Sequence, residues 1–275
     1  MNFLEIIGIT ALCYLGLCII IYSVQELFFF HPEKLPLNFK YKFKYPFEEI
    51  HLDTDDGAIL NGLHFKMPNS KGVVFYFKGN TRSIKGWGKF SRDFLSKGYD
   101  FFVFDYRGFG KSRGKRSEKN FHADCQVAYN FLLRRYKEKN IIIYGRSIGS
   151  GFAASIAGRN NPKKLILDSP YYSMYHLVKR FFPFIPAMSL LKYHIRTDQF
   201  IPNVKCPIYI IHGVKDRLIP YHHAANLAKK NKRTNLIRIK EGGHNNLPKF
   251  ADYHHVVYEI LNDTYGETSF YDELY

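Results

Sequence analysis

Cysteine is scarce in this chain: 275 residues contain four, and none has the spacing of a metal site or a disulfide framework. Cys13 and Cys18 fall inside an apolar run as filler, which leaves Cys125 and Cys206 for the globular part and makes a reducing compartment the simpler expectation. Acidic residues are also short, 24 Asp and Glu against 40 Lys and Arg, for a formal net charge of +16. Such an excess suits membrane lipid or nucleic acid, or is a solvated basic surface. The cations are spread along the chain with no nucleic-acid motif beside them, so no nucleic-acid partner is expected. Internal repeats and low-complexity tracts are missing. So are the basic n-region and small-residue cleavage site of a secretory leader.

The chain does contain material for a core, being 46% hydrophobic and 17% aromatic, so one folded domain of ordinary size is expected. "IIGITALCYLGLCIIIYSV", from Ile6 to Val24, is a 19-residue run without charge, bracketed by Glu5 and Glu26. That length crosses a bilayer as a helix. Lys34, Lys40, Lys42 and Lys44 follow the run and no Lys or Arg precedes it, so the positive-inside rule puts the C-terminal domain in the cytoplasm. The expected organisation is a membrane anchor at 1–30, a linker at 31–47 carrying Pro32, Pro36 and Pro46, a globular domain at 48–262, and an acidic tail at 263–275.

Within that domain "EEIHLDT" and "AILNGLHF" flank Asp55-Asp56-Gly57, the signature of a β-hairpin. Short apolar runs then recur at 73–77, 101–104, 141–144, 164–167, 207–211 and 236–239, with helix-length segments at 86–97, 118–138, 148–159, 220–231 and 248–262. Continuous apolar runs of this kind suit strands buried on both faces of a parallel sheet. The pattern predicts a three-layer α/β fold with a mostly parallel central sheet, preceded by one transmembrane helix.

"IIIYGRSIGSG" at 141–151 sets Ser147 between Gly145 and Gly149, where a predicted strand ends and a helix of small residues begins. That is the context of a nucleophile elbow, a turn so sharp that the hydroxyl projects above the sheet and flanking side chains would collide. A serine hydroxyl is a weak nucleophile and needs a base and a group to orient that base. Asp216, in "HGVKDRLIP", and His244, in "IKEGGHNNL", both follow predicted strands, at the carboxyl ends where sites of open α/β sheets gather. Alone, Asp216 also suits a turn or helix cap, and His244 is one of 12 histidines. Order and placement make them a pair.

In these motifs the chain resembles the α/β-hydrolase superfamily over about residues 48–262. "FKGNTRS" at 77–83 is similar to the family's His-Gly-Asn turn and "DYRGFGKS" at 105–112 to its Asp-x-Arg-Gly-x-Gly-x-Ser loop. The set looks most like the membrane-anchored branch of depalmitoylase-like acyl hydrolases. Lys78 departs from the pattern by standing where the family usually has histidine. The resemblance implies a catalytic triad of Ser147, Asp216 and His244, an oxyanion hole from the backbone N–H groups of Asn80 and Ile148, and no metal or organic cofactor. Asp168, in "LILDSP", is the competing position for the acid, and Asp105 and Arg107 are expected to pair and brace their loop.

The aromatic-rich stretch at 170–200 sits where this fold inserts a cap, and it either lines an acyl pocket, rests on the bilayer or packs on the sheet. The expected activity is cleavage of ester or thioester bonds in acyl-lipid or acyl-protein substrates, with membrane lipid contacted through the N-terminal helix. A serine peptidase of the aminopeptidase type is the enzymatic alternative, and a non-enzymatic scaffold the other class. If the anchor only concentrates enzyme near substrate, a chain lacking residues 1–30 should still cleave short soluble esters.

Overall fold

The computed structural model describes residues 1–266; most of the expected acidic tail, residues 267–275, lies outside the described residues. The chain opens with helix α1 (Phe3–Phe29), longer at both ends than the uncharged run. Glu5 is absorbed by a capping box: its N–H donates to Asn2 Oδ1 and the Asn2 N–H donates to its carboxylate, each at 2.9 Å. Glu26 is absorbed because Arg116 lies 2.9 Å from its carboxylate and the Tyr193 hydroxyl donates to it at 2.7 Å. Among the described residues α1 is the one helix long and apolar enough to cross a membrane, and most of its residues are exposed, with Cys18 and Gln25 buried.

The rest alternates strands and helices: β1 (His31–Pro32), β2 (Phe47–Asp53), β3 (Ile59–Phe65), β4 (Val73–Phe77), β5 (Thr81–Arg82), α2 (Ile84–Trp87), α3 (Ser91–Leu95), β6 (Asp100–Phe104), α4 (Glu118–Leu133), β7 (Ile141–Arg146), α5 (Gly149–Arg159), β8 (Lys164–Asp168), α6 (Met174–Phe181), α7 (Ala187–Leu190), α8 (Thr197–Phe200), β9 (Ile208–Gly213), α9 (His222–Ala228), β10 (Thr234–Ile239) and α10 (Ala251–Asn262). Eight strands form one sheet in the order β10-β9-β8-β7-β4-β6-β3-β2. Only β3 runs against its neighbours, as the hairpin signal requires; the other pairings are parallel. The expected three-layer α/β fold, the α/β-hydrolase fold, is therefore present.

Two apolar layers sandwich the sheet. On one face α4, α5 and α9 close over Phe75, Phe77, Ile143 and Leu167. On the other α3 and α10 close over Val74, Tyr76, Ile142 and Ile166. Strands β4, β6, β7 and β8 are buried at every position, which is why their sequences read as continuous apolar runs rather than alternations.

Some helices are shorter than the sequence suggests. The segment at 86–97 is split into α2, a 3-10 turn and α3, because Gly86 and Gly88 weaken a continuous helix. α4 ends at Leu133 rather than near 138, where the chain turns so that the Tyr136 hydroxyl donates to Asp100 at 2.5 Å and meets His64 at 2.7 Å. The insertion expected at 170–200 contains α6, α7 and α8. The linker expected at 31–47 is not free chain: β1 pairs with β5, and Lys34 bridges to Gly110.

Candidate active site

Strand β7 ends and α5 begins within three residues, and this forces Ser147 to φ +52°, a conformation that costs free energy for a residue with a Cβ. Neighbours hold it there. The Ser147 N–H donates to the Asp168 carbonyl at 2.9 Å and its carbonyl accepts from the Ser150 hydroxyl at 2.6 Å. Glycine is required on both sides, since a Cβ on Gly145 would lie 2.5 Å from Ala153 Cβ and one on Gly149 2.3 Å from the Phe77 carbonyl oxygen.

The three residues singled out as nucleophile, base and acid meet. His244 Nε2 lies 3.0 Å from Ser147 Oγ, and His244 Nδ1 lies 2.8 Å from Asp216 Oδ2. The remaining oxygen of Asp216 accepts the N–H groups of Leu218 and Ile219 at 2.9 and 2.8 Å. Burial works against a charged Asp216, but the hydrogen bond and charge of His244 and the Ile219 N–H outweigh it and hold the carboxyl below the usual carboxylate range. A charged Asp216 accepts from Nδ1–H, which leaves Nε2 free to accept the serine proton. Beneath this pair His212, a residue the sequence reading passed over, sits 3.5 Å from Asp216 while its Nε2 meets the Ile219 carbonyl at 2.8 Å. Burial keeps His212 neutral, and a histidine inside a strand carries no separate sequence signal.

Asp168 does not join them. Its carboxylate accepts from the hydroxyls of Tyr144 at 3.2 Å, Tyr253 at 3.1 Å and Ser169 at 3.0 Å, a buried cluster that does not include His244. The expected Asp105–Arg107 brace also differs. Arg107 instead reaches Asp56 and Asp124 with distances of 2.5 to 2.7 Å, because Asp105 is already engaged by Lys78.

That engagement accounts for Lys78. Its Nζ lies 3.4 Å from Asp105, fully buried, and 3.8 Å from the centroid of the Phe109 ring. Asp105 in turn accepts the Ile84 N–H at 3.0 Å. Burial pushes Lys78 down to about 8 and Asp105 up to about 6, each partly countered by the other. A buried ion pair thus braces the turn at 77–83. Asn80 and Ile148, the expected oxyanion donors, line the same cavity as Ser147.

This cavity, about 200 Å³, is walled mainly by Tyr171, Met174, Leu177 and Val178 of the insertion and by Phe28 and Phe29 of α1. The sequence reading missed the last two. Their signal was "LFFF" at 27–30, which is too apolar to begin a solvated linker. The Phe29 carbonyl also accepts from the Asn80 side-chain amide at 3.1 Å, and the His31 N–H donates to the Asn80 carbonyl at 2.9 Å. The end of α1 is tied directly to the turn beside Ser147.

Comparison with known proteins finds relatives of the same fold. The family described as "Serine aminopeptidase, S33" matches residues 68–196. The human alpha/beta hydrolase domain-containing protein 17B is 30% identical over 193 residues, covering 68% of this chain and 65% of that protein. An uncharacterized protein of Escherichia coli K12 is 29% identical over 227 residues, 77% of each chain. In three dimensions an esterase of Pyrococcus furiosus superposes with a TM-score of 0.67 at 19% identity, over 86% of this chain and 98% of that one, a likeness of fold. The chain has the α/β-hydrolase fold and is similar in sequence to proteins of that superfamily.

Proposed function

We propose that the protein is a membrane-anchored serine hydrolase that cleaves ester or thioester bonds of acyl-lipid or acyl-protein substrates. The observation that carries this is the chain of contacts from Ser147 through His244 to Asp216 at 3.0 and 2.8 Å, opening on a cavity with apolar walls. Ser147 Oγ attacks the acyl carbonyl as its proton passes to His244 Nε2, and the N–H groups of Asn80 and Ile148 stabilise the oxyanion. Collapse of the tetrahedral intermediate breaks the bond to the leaving oxygen or sulfur, which takes the proton from His244. Water then attacks the acyl-serine by the same route and releases the acid. Helix α1 serves as the anchor, with the domain on the cytoplasmic side.

The family description favours a second activity, removal of N-terminal amino acids. That chemistry calls for a carboxylate to receive the substrate's free ammonium, and none of the described residues lining the Ser147 cavity is acidic. The acyl hydrolase is therefore the better fit. A fluorophosphonate probe tests the proposal, because only an activated serine is labelled: the parent protein should be labelled and Ser147→Ala should not. Labelling that survives Ser147→Ala would remove Ser147 from the reaction.

A further inference from the structure

The Ser147 cavity does not end at the cap. Phe28, Phe29, Val178 and Phe182 are shared with a second cavity of about 110 Å³. It runs along α1 past Gln25 to Ile21 and is bounded on its far side by Ile185 and Leu190. On α1, Tyr14 bonds the insertion, Cys18 is buried, and Ile21, Gln25, Phe28 and Phe29 line the passage; the first five of these, spaced by four, three, four and three residues, form one stripe of the helix.

The insertion climbs that stripe. Gln25 receives the Lys192 N–H at 2.8 Å and donates to the Leu190 carbonyl at 2.9 Å, and eleven residues earlier the Tyr14 hydroxyl donates to the Phe184 carbonyl at 2.9 Å. At 1.5 Å per residue, Tyr14 lies roughly 22 Å up the axis from Phe29, against a hydrocarbon core of about 30 Å. A helix that spans the bilayer therefore carries the tip of the insertion into it. The tip's surface suits that solvent: Phe181, Phe182, Phe184 and Met188 are 48%, 51%, 89% and 53% exposed. A carbonyl at such depth needs a partner within the protein, and Tyr14 supplies one.

Building on the hydrolase reading, we infer that residues 181–191 are embedded in the bilayer beside α1, and that a long acyl chain of a membrane-resident substrate reaches Ser147 from the lipid through the passage between α1 and the insertion. Helix α1 is then a wall of the acyl site as well as an anchor. The chain lies along Ile21 and Phe28 while its carbonyl reaches the oxyanion donors, and the polar leaving group stays at the cytoplasmic surface.

Two measurements on full-length protein in phosphatidylcholine vesicles test this, and the first does not involve catalysis. The chain's one tryptophan, Trp87, follows the turn beside Ser147, so Phe184→Trp adds a reporter at the tip. Lipids brominated in mid-chain should quench the added emission well beyond any quenching of the parent. Quenching no greater than the parent's places the tip outside the bilayer and overturns the inference even if the protein is an active hydrolase. The second reads selectivity: Ile21→Trp narrows the passage far from Ser147, and the ratio of p-nitrophenyl palmitate to p-nitrophenyl butyrate turnover should fall about tenfold. An unchanged ratio, with Ser147 still labelled by fluorophosphonate, overturns the passage alone. No labelling and no ester turnover in the parent would instead bring down the hydrolase reading, and the passage with it.

Discussion

In the proposed reaction Ser147 serves as nucleophile only while the residues around it keep its backbone at φ +52° and its hydroxyl within reach of His244. The assignment of the acid rests on similar local geometry, since Asp216 meets His244 while Asp168 is consumed by two tyrosines and a serine. Asp216→Asn should therefore lower kcat for ester hydrolysis by about 10⁴-fold, the scale of losing an orienting acid elsewhere, and Asp168→Asn should cost far less. Steady-state kinetics of the two variants decide it, and the reverse ranking would move the acid to Asp168. Lys78 gives a second residue-scale prediction. Lys78→Met leaves Asp105 buried without its cation and should cost ~3–5 kcal/mol of stability, whereas Lys78→Met with Asp105→Asn should recover much of that loss, because Asn still accepts the Ile84 N–H. Denaturant unfolding of the single and double variants checks this; equal stability would show that the pair does not brace the turn.

At the level of elements, the sequence was most legible where one physical rule governed a whole segment. Strands β4, β6, β7 and β8 are buried on both faces, so their continuous apolar runs identified them, and the glycines around Ser147 marked the elbow because no side chain fits there. Helix ends were less legible, since the stop of α4 depends on Tyr136 finding Asp100 and His64 from other elements. Least legible was the role of α1, because hydropathy reports that a helix can span a bilayer and nothing about what its last turn touches. That contact changes an expectation drawn from sequence. A chain lacking residues 1–30 loses Phe28 and Phe29 from the cavity and the carbonyl that holds the Asn80 side chain. Its kcat/KM for p-nitrophenyl butyrate should drop about tenfold or more, equivalent to ~1.4 kcal/mol of transition-state stabilisation, while a deletion ending at residue 13, before the contacts with the insertion, should leave it nearly intact. Equal rates for both truncations would restore α1 to the role of a plain tether.

Across the whole molecule, an apolar face formed by α1 and the insertion sits on a chain with net charge +16, a combination suited to an anionic membrane surface. Asp216 is held below the usual carboxylate range and so stays charged through mildly acid conditions. Protonation of this carboxyl should therefore set no limb of the pH–rate profile for ester hydrolysis above about pH 5, and a limb there that Asp216→Asn abolishes would contradict it. The central claim is that an acyl group passes through Ser147. Rapid acid quench of the protein turning over a long-chain p-nitrophenyl ester, followed by trypsin and tandem mass spectrometry, reads this directly, because cleavage after Arg146 puts Ser147 at the start of the peptide ending at Arg159. The account predicts that peptide with the substrate's acyl mass on its first residue, enriched when Asp216→Asn slows deacylation. An acyl group on another residue, or turnover with no acylated peptide at any quench time, would contradict it.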